Sequence, residues 1–300
     1  EIKQIQKLYK QVEQGGFEVV FVSGLSGTGK TVLVREAIKP LLSEDIFFIY
    51  GKCNQYTHHE PYVPFIEAIR MLINQILTEP KEIMQRWRQC IINNIGENCA
   101  VLIDMIPELE LIIGQVPKLK TSDPKKLKAR LETSLKKMVH LFATKDHPLV
   151  MVFDDLQWVD AATLQLMKVI MSDASNHYLF LINIYRTGES GKNLLLEDTI
   201  ESLDNMLINR LTITSLTFND SKALLEHTYN YTQDQIFELT KFIYRKTLGN
   251  PFYIEQIITV CKRDMPLMTC NEDKLAWMIE YINKLTVDDN ILNLVINRLK

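Results

Sequence analysis

The run Gly24-Leu25-Ser26-Gly27-Thr28-Gly29-Lys30-Thr31 constrains this chain more than any other. It fits the phosphate-loop pattern G-x-x-x-x-G-K-[ST] at every fixed position, and its flanks decide what the pattern means. Before it, Phe17-Glu18-Val19-Val20-Phe21-Val22 is nearly all apolar, as a strand covered on both faces must be. After it, Val34, Ala37, Ile38 and Leu41 recur at helical spacing. Strand, glycine loop and helix is the order that phosphate binding requires. Glycines let successive backbone N–H groups turn inward toward dense negative charge, and the new helix adds the positive end of its dipole. Lys30 is then placed to neutralise β- and γ-phosphates, and the Thr31 hydroxyl to hold Mg²⁺. A plain glycine turn between strand and helix would need neither the lysine nor the threonine.

Three hundred residues suggest about two domains with room for a large core. A net charge of −3 argues against a chain-wide affinity for nucleic acid or anionic membrane. No apolar run is long enough to span a membrane and no signal peptide opens the chain. Glu1 already lies inside a helical pattern, so the chain reads as a piece of something longer. The five cysteines, Cys53, Cys90, Cys99, Cys261 and Cys270, form no C-x-x-C pair. Reduced thiols and a cytoplasmic location are expected, rather than a disulfide frame or a zinc site.

In chain order, Ile2, Ile5, Leu8, Tyr9 and Val12 share one face of an opening helix that stops at Gly15-Gly16. Ile46–Tyr50 reads as a second buried strand. A long excursion follows, a helical insertion at about 56–147. One helix follows Pro64, another carries Ile83, Trp87, Cys90 and Ile91, and a third starts at Asp123-Pro124 and carries Leu127 to Phe142. Val101 to Leu109, cut by Pro107, is a hairpin or a short helix. Lys118, Lys120, Lys125, Lys126, Lys128, Arg130, Lys136 and Lys137 are the densest basic run. They mostly avoid the apolar face of their helix and no stacking aromatics interleave with them, so they read as a solvated face. His58-His59 share no helix face and have no supporting ligand cluster, which favours a surface pair over a metal site.

Leu149-Val150-Met151-Val152-Phe153-Asp154-Asp155 is an apolar strand ending in two acids, the Walker B arrangement. It is expected next to the phosphate-loop strand. Asp154 would hold Mg²⁺ through its water shell, and Asp155 would orient or deprotonate a water attacking the γ-phosphate. Tyr178 to Tyr185 is a further strand with Arg186 at its carboxyl end. That arginine either meets the γ-phosphate or simply closes a strand at the surface. Arg210–Ile213 is short and polar enough to be an edge strand. From Asn219 the pattern turns helical, with segments at Ser221–Tyr229, Gln235–Lys246, Pro251–Lys262, Lys274–Lys284 and Asp289–Leu299. The expected division is therefore a nucleotide-binding domain over 1–215 and a helical subdomain over 216–300. The overall class is α/β, a doubly wound sheet with ligand chemistry at the carboxyl ends of its strands.

Three stretches beyond the phosphate loop add up to a family. They are Asp154-Asp155-Leu156-Gln157-Trp158-Val159-Asp160, the strand ending in Tyr185-Arg186, and Leu248-Gly249-Asn250-Pro251-Phe252. Over essentially its whole length the chain resembles the signal-transduction ATPases with numerous domains (STAND), relatives of the AAA+ ATPases. Phe17–Lys30 and Ala100–Gly114 are most similar to the ATPase module of large bacterial hybrid kinases. In those proteins a Ser/Thr kinase-like domain, the ATPase, a GAF sensor and often a histidine kinase share one chain. The resemblance implies a five-stranded parallel sheet of order 5-1-4-3-2, a helical lid, and ATP binding and hydrolysis that switch the protein between closed and open forms. It implies that Arg186 senses the γ-phosphate and that the Gly249-Asn250-Pro251 turn lies on the adenine side, with Pro251 against the nucleotide. The family's glycine-arginine segment ahead of the first helix is absent from this sequence, and its winged-helix domain is missing or barely begun at Arg298-Leu299-Lys300.

The leading expectation is a slow regulatory ATPase using ATP and Mg²⁺, with other domains of the same chain as partners. Oligomerisation driven by ATP is common in the resembled family, and the residues leave it open here. The alternative is a non-hydrolysing, nucleotide-gated scaffold that recruits partners or self-associates. A phosphotransferase would need an arginine-rich lid, and Arg245, Arg263 and Arg298 are scattered. A nucleic-acid motor is disfavoured by the charge balance.

Overall fold

Strands that must lie between two layers of helix cannot show polar alternation, and this chain's central strands do not. The computed structural model describes residues 1–42, 45–56, 60–117, 123–188, 194–202, 208–264 and 271–284. They group into two units. One comprises Glu1–Ser23 with Thr31–Thr212, and the other Gly24–Lys30 with the described residues from Ile213 onward.

In the first unit, α1 (Ile2–Glu13) leads to β1 (Phe17–Gly24), whose far end continues into the phosphate loop. α2 (Lys30–Ile38) and β2 (Phe47–Lys52) follow. The long excursion is helical: α3 (Val63–Leu77), α4 (Lys81–Ile95), α5 (Cys99–Met105), α6 (Leu109–Ile113) and α7 (Pro124–Phe142). The proline-cut stretch is thus two short helices, with Pro107 in the break between α5 and α6. Asp123 caps α7 by accepting from the Lys125 N–H at 3.0 Å, and Pro124 fills the first turn. Then come β3 (Leu149–Asp154), α8 (Ala161–Met171), β4 (Leu179–Ile184), α9 (Leu194–Ser202) and β5 (Ile208–Ile213).

The parallel sheet has the order β2-β3-β4-β1-β5. Counted from the other edge this is 5-1-4-3-2, the order that the family resemblance implies. One expectation is corrected: the Walker B strand is not next to the phosphate-loop strand. β4 pairs with both β1 and β3 and stands between them. The connection from β1 to β2 must therefore pass over β4 and β3, and it carries α2 with it, so the start of α2 can still reach the end of β3.

Successive strand residues face opposite sides of the sheet. Phe21, Ile49, Phe153 and Leu181 join the core formed with helices α3 to α9. There Phe47, Trp87 and Phe142 pack ring on ring, with centroids 4.8–5.8 Å apart, and fasten the helical excursion to β2. On the other side Tyr9 of α1 meets Phe180 at 6.2 Å.

The second unit adds α10 (Phe218–Thr228), α11 (Gln233–Thr247), α12 (Pro251–Asp264) and α13 (Asn271–Lys284). Thr217 with Asp220 and Thr232 with Gln235 form capping boxes that start α10 and α11. Leu225, Ile236, Leu239, Ile243, Ile254 and Met278 make a separate core. Among the described residues no helix is long and apolar enough to cross a membrane. Lys125, Lys126, Lys128 and Lys137 of the basic run lie exposed on α7. His58, His59, Lys118, Lys120, Cys270 and the segment expected at Asp289–Leu299, with Arg298 to Lys300, lie outside the described residues. The other four cysteines are free thiols.

One ion cluster ties α7 to the end of α8. The Asp173 carboxylate accepts from Lys136, with His140 Nε2 3.4 Å away. The Lys136 hydrogen bond, helped by Ser175, holds the Asp173 carboxyl well below the usual carboxylate range. Its contribution to stability is complete above the unfolded value of about 4 and is lost as pH falls through and below it. Denaturant unfolding at pH 6 and pH 3 should show Asp173→Asn flattening the acid loss of stability relative to wild type.

Candidate nucleotide-binding site

The Asp154 side chain is 4% exposed, so its charge has to be satisfied within the protein. The Thr31 hydroxyl and the Tyr50 hydroxyl each donate to Oδ2 at 2.9 Å. The Asp155 N–H donates to Oδ1 at 2.8 Å. Burial, and then the charge and hydrogen bond of Asp154, push the Tyr50 hydroxyl well above its ordinary value, so it remains a donor throughout the physiological range. The Cys53 thiol nearby is pushed up by burial, then by Asp160, Asp155 and Asp154, and stays protonated. Beside this network opens a cleft of about 670 Å³ walled by Val34, Ile38, Phe48, Val152 and Ile184.

Asp155 follows in a left-handed conformation with φ 55°. Such a turn is tolerated best by Asp, Asn and Gly, and it sends this carboxylate in a different direction from its neighbour's. Arg186 Nε donates to Asp155 Oδ1 at 3.2 Å, and Lys52 Nζ is 3.4 Å from Oδ2. Gln157 completes the set: its Nε2 donates to Asp155 Oδ1 at 2.9 Å, and its Oε1 accepts from the Arg186 N–H at 3.1 Å. Asp155 and Arg186, both predicted as site residues, are thus brought together and paired with each other.

The phosphate loop lies in the second unit. Gly24 approaches the β5 terminus so closely that a Cβ there would stand 2.3 Å from the Ile213 carbonyl oxygen. Lys30 is 7% exposed and its ammonium donates to the carbonyls of Gly24, at 2.9 Å, and Leu25, at 2.7 Å. Thr28 Oγ1 donates to the Leu25 carbonyl at 2.9 Å. The lysine therefore already lies over its own loop, held by two of the loop's carbonyls. The Ser26 carbonyl accepts from Asn250 Nδ2, just before α12, and the Gly27 carbonyl from the Phe252 N–H in its first turn, beside Pro251.

A family model described as an AAA ATPase domain matches residues 1–182. The chain belongs to this family. The chain is 24% identical to the hybrid signal transduction histidine kinase G of Dictyostelium discoideum, in an alignment covering 100% of this chain and 10% of the relative. It is 25% identical to histidine protein kinase 1 of Candida albicans, over 61% of this chain and 8% of that protein. The chain thus spans about a tenth of the curated relatives it matches. Among solved structures the fold is similar to that of the Aeropyrum pernix ORC2 protein. For the ADP form the TM-score is 0.53 at 11% identity, covering 95% of this chain and 69% of that one. For the ADPNP-ADP complexes it is 0.50 at 11% identity, covering 93% and 66%. At that identity the likeness concerns the fold alone. The name of the Dictyostelium relative carries the hybrid histidine kinase part of the resemblance, and that of the Candida protein the histidine kinase part alone.

Sequence reasoning missed Tyr50, Lys52 and Gln157, and gave Asn250 no role of its own. Tyr50 and Lys52 are polar residues at the carboxyl end of an otherwise apolar strand, and Lys52 is in register with Asp154. Polarity at that end of a buried parallel strand was the available signal. Gln157 lies inside the quoted Walker B stretch, but its double contact depends on the turn at Asp155. Tyr50→Phe removes one donor from a buried carboxylate and should cost about 1.5–3 kcal/mol of unfolding free energy. In an Asp154→Asn background that cost should drop below half, which a double-mutant cycle in urea would measure.

Proposed function

We propose that this AAA ATPase domain binds ATP with Mg²⁺ and hydrolyses it slowly, acting as a switch within a multidomain signalling chain. The observation that carries the reading is the 2.9 Å hydrogen bond from the Thr31 hydroxyl to Asp154. It joins the last residue of the phosphate-loop pattern to the acid of the Walker B strand. A hydroxyl and a carboxylate oxygen fit a hard ion that prefers oxygen and keeps several of its waters. Mg²⁺ bound there would spread the charge of the β- and γ-phosphates.

The remaining roles follow from chain position and chemistry. Gly24, Leu25, Ser26, Gly27, Thr28 and Gly29 supply backbone N–H groups to the phosphates, and Lys30 supplies a cation. Arg186 leaves Asp155 for the γ-phosphate, which removes one of the two cations holding Asp155 and leaves that carboxylate better placed to take a proton from the attacking water. The two events are linked because each group is the other's partner beforehand, and the exchange suits a switch whose bound state must last. Pro251 lies on the adenine side by resemblance to the STAND family, and the adenine nucleotides of the ORC2 structures support ATP as the ligand. The proposed domains are 1–215, with the helical insertion, and 216–300 as a lid. Ser/Thr kinase-like, GAF and histidine kinase domains are the proposed neighbours, self-association the proposed assembly, and the cytoplasm the proposed location.

One observation favours the second reading, a nucleotide-gated scaffold without turnover. Asp155 is held by both Lys52 and Arg186, and a carboxylate so engaged has to give up a cation before it can meet a water. Phosphate release and ATP binding on the same preparation separate the two. Lys30→Ala should abolish ATP binding. Asp155→Asn should leave binding intact and slow hydrolysis at least about a hundredfold. If Asp155→Asn hydrolyses at the wild-type rate, its assignment as base is wrong. Phosphate release no faster than background in wild type, with ATP bound, would establish the scaffold instead.

A further inference from the structure

The phosphate loop is held from behind by one side chain of the helical unit. Asn250 sits at the turn between α11 and α12 and is 8% exposed. Its Nδ2 donates to the Ser26 carbonyl at 2.8 Å, and its Oδ1 accepts the Phe252 N–H at 3.1 Å, capping α12. The same Phe252 N–H is 3.2 Å from the Gly27 carbonyl. Two consecutive loop carbonyls are therefore drawn toward the start of α12. In a trans peptide the C=O and the following N–H point opposite ways. Drawing the Ser26 and Gly27 oxygens toward α12 turns the N–H groups of Gly27 and Thr28 the other way, into the hollow of the loop. Gly27 has φ 78°, and a Cβ there would stand 2.7 Å from Asn250 Oδ1 and 2.9 Å from the Phe252 Cβ. The fit leaves no space for a side chain between loop and helix.

We infer that Asn250 is a positioning residue that aims the phosphate-loop N–H groups at the nucleotide's phosphates, and so makes the α11–α12 turn the element through which the helical unit senses them. This rests on the ATP-site reading above and goes beyond it. Asn250 touches no reacting atom. It acts through the peptide planes at Ser26-Gly27 and Gly27-Thr28, and the coupling runs both ways: phosphates that pull on those N–H groups also tighten the carbonyls against α12.

Asn250→Asp separates the latch from the cap. It keeps an oxygen for the Phe252 N–H but loses the donor to Ser26 and sets a carboxylate against that carbonyl. Calorimetric titration of the full chain with Mg²⁺ present, using ATP, ADP and adenosine, reads the result beside wild type and Lys30→Ala. Asn250→Asp should weaken ATP and ADP at least about tenfold, leave adenosine binding unchanged, and keep the melting temperature within about 3 °C of wild type. Asn250→Ser, a shorter cap that cannot reach Ser26, should give the same split and serves if the aspartate variant fails to fold. A loss that includes adenosine equally would mark a merely structural role and overturn the inference. So would unchanged ATP and ADP affinity in Asn250→Asp while Lys30→Ala loses both, which would leave the ATP site standing. If wild type binds no nucleotide, or Lys30→Ala binds as well as wild type, the site reading fails and the latch falls with it.

Discussion

A carboxylate removed from water must find its hydrogen bonds in the protein, and the arrangement of the first unit follows from this at Asp154. Its three donors come from three places in the chain: Thr31 at the start of α2, Tyr50 on β2, and the backbone of Asp155. None of the three is a cation, so among the described residues the charge is stabilised by hydrogen bonds and not by an ion pair. This suits a group proposed to face a metal. The neighbouring acid is arranged in the opposite way. Asp155 lies between Lys52 and Arg186, and the left-handed turn at its Cα is what directs two adjacent carboxylates into such different surroundings. One strand end thus presents two acids with separate chemistry.

The second unit explains why the phosphate loop is not simply the end of a strand. Two of its glycines are required by the neighbours that crowd it, apart from any proposed role toward phosphates. Gly24 is closed in by the Ile213 carbonyl and Gly27 by Asn250 and Phe252. Lys30 spans the loop internally through the Gly24 and Leu25 carbonyls. Residues 24–30 group with the residues beyond 212 rather than with the sheet because the Ser26 and Gly27 carbonyls are taken by Asn250 and Phe252 and Gly24 lies against Ile213.

Much of the fold was readable because periodicity and punctuation agreed. The apolar runs of β1, β3 and β4 bury every residue or nearly every residue, and Asp123-Pro124 starts a helix where capping chemistry places one. Of the candidate site, the glycine loop, Lys30, Thr31 and the two acids stand out by spacing alone. The adjacency expected of the first and third strands was wrong, because strand neighbours depend on crossovers of many residues and no local pattern records them. Tyr50, Lys52, Gln157 and Asn250 were passed over for a related reason. Each is an ordinary polar residue until the fold sets its side chain beside a partner 2 to 224 positions away.

The chain alone therefore singled out the candidates for binding phosphate and metal, since that choice rests on residue chemistry and short-range backbone geometry, both local. The tertiary structure decided which of those groups are paired with one another: Thr31 and Tyr50 on Asp154, Arg186 and Lys52 on Asp155, Asn250 on the loop. Hydrogen bonds and ion pairs act over about 3–4 Å, and only folding brings groups that are distant in sequence within that range.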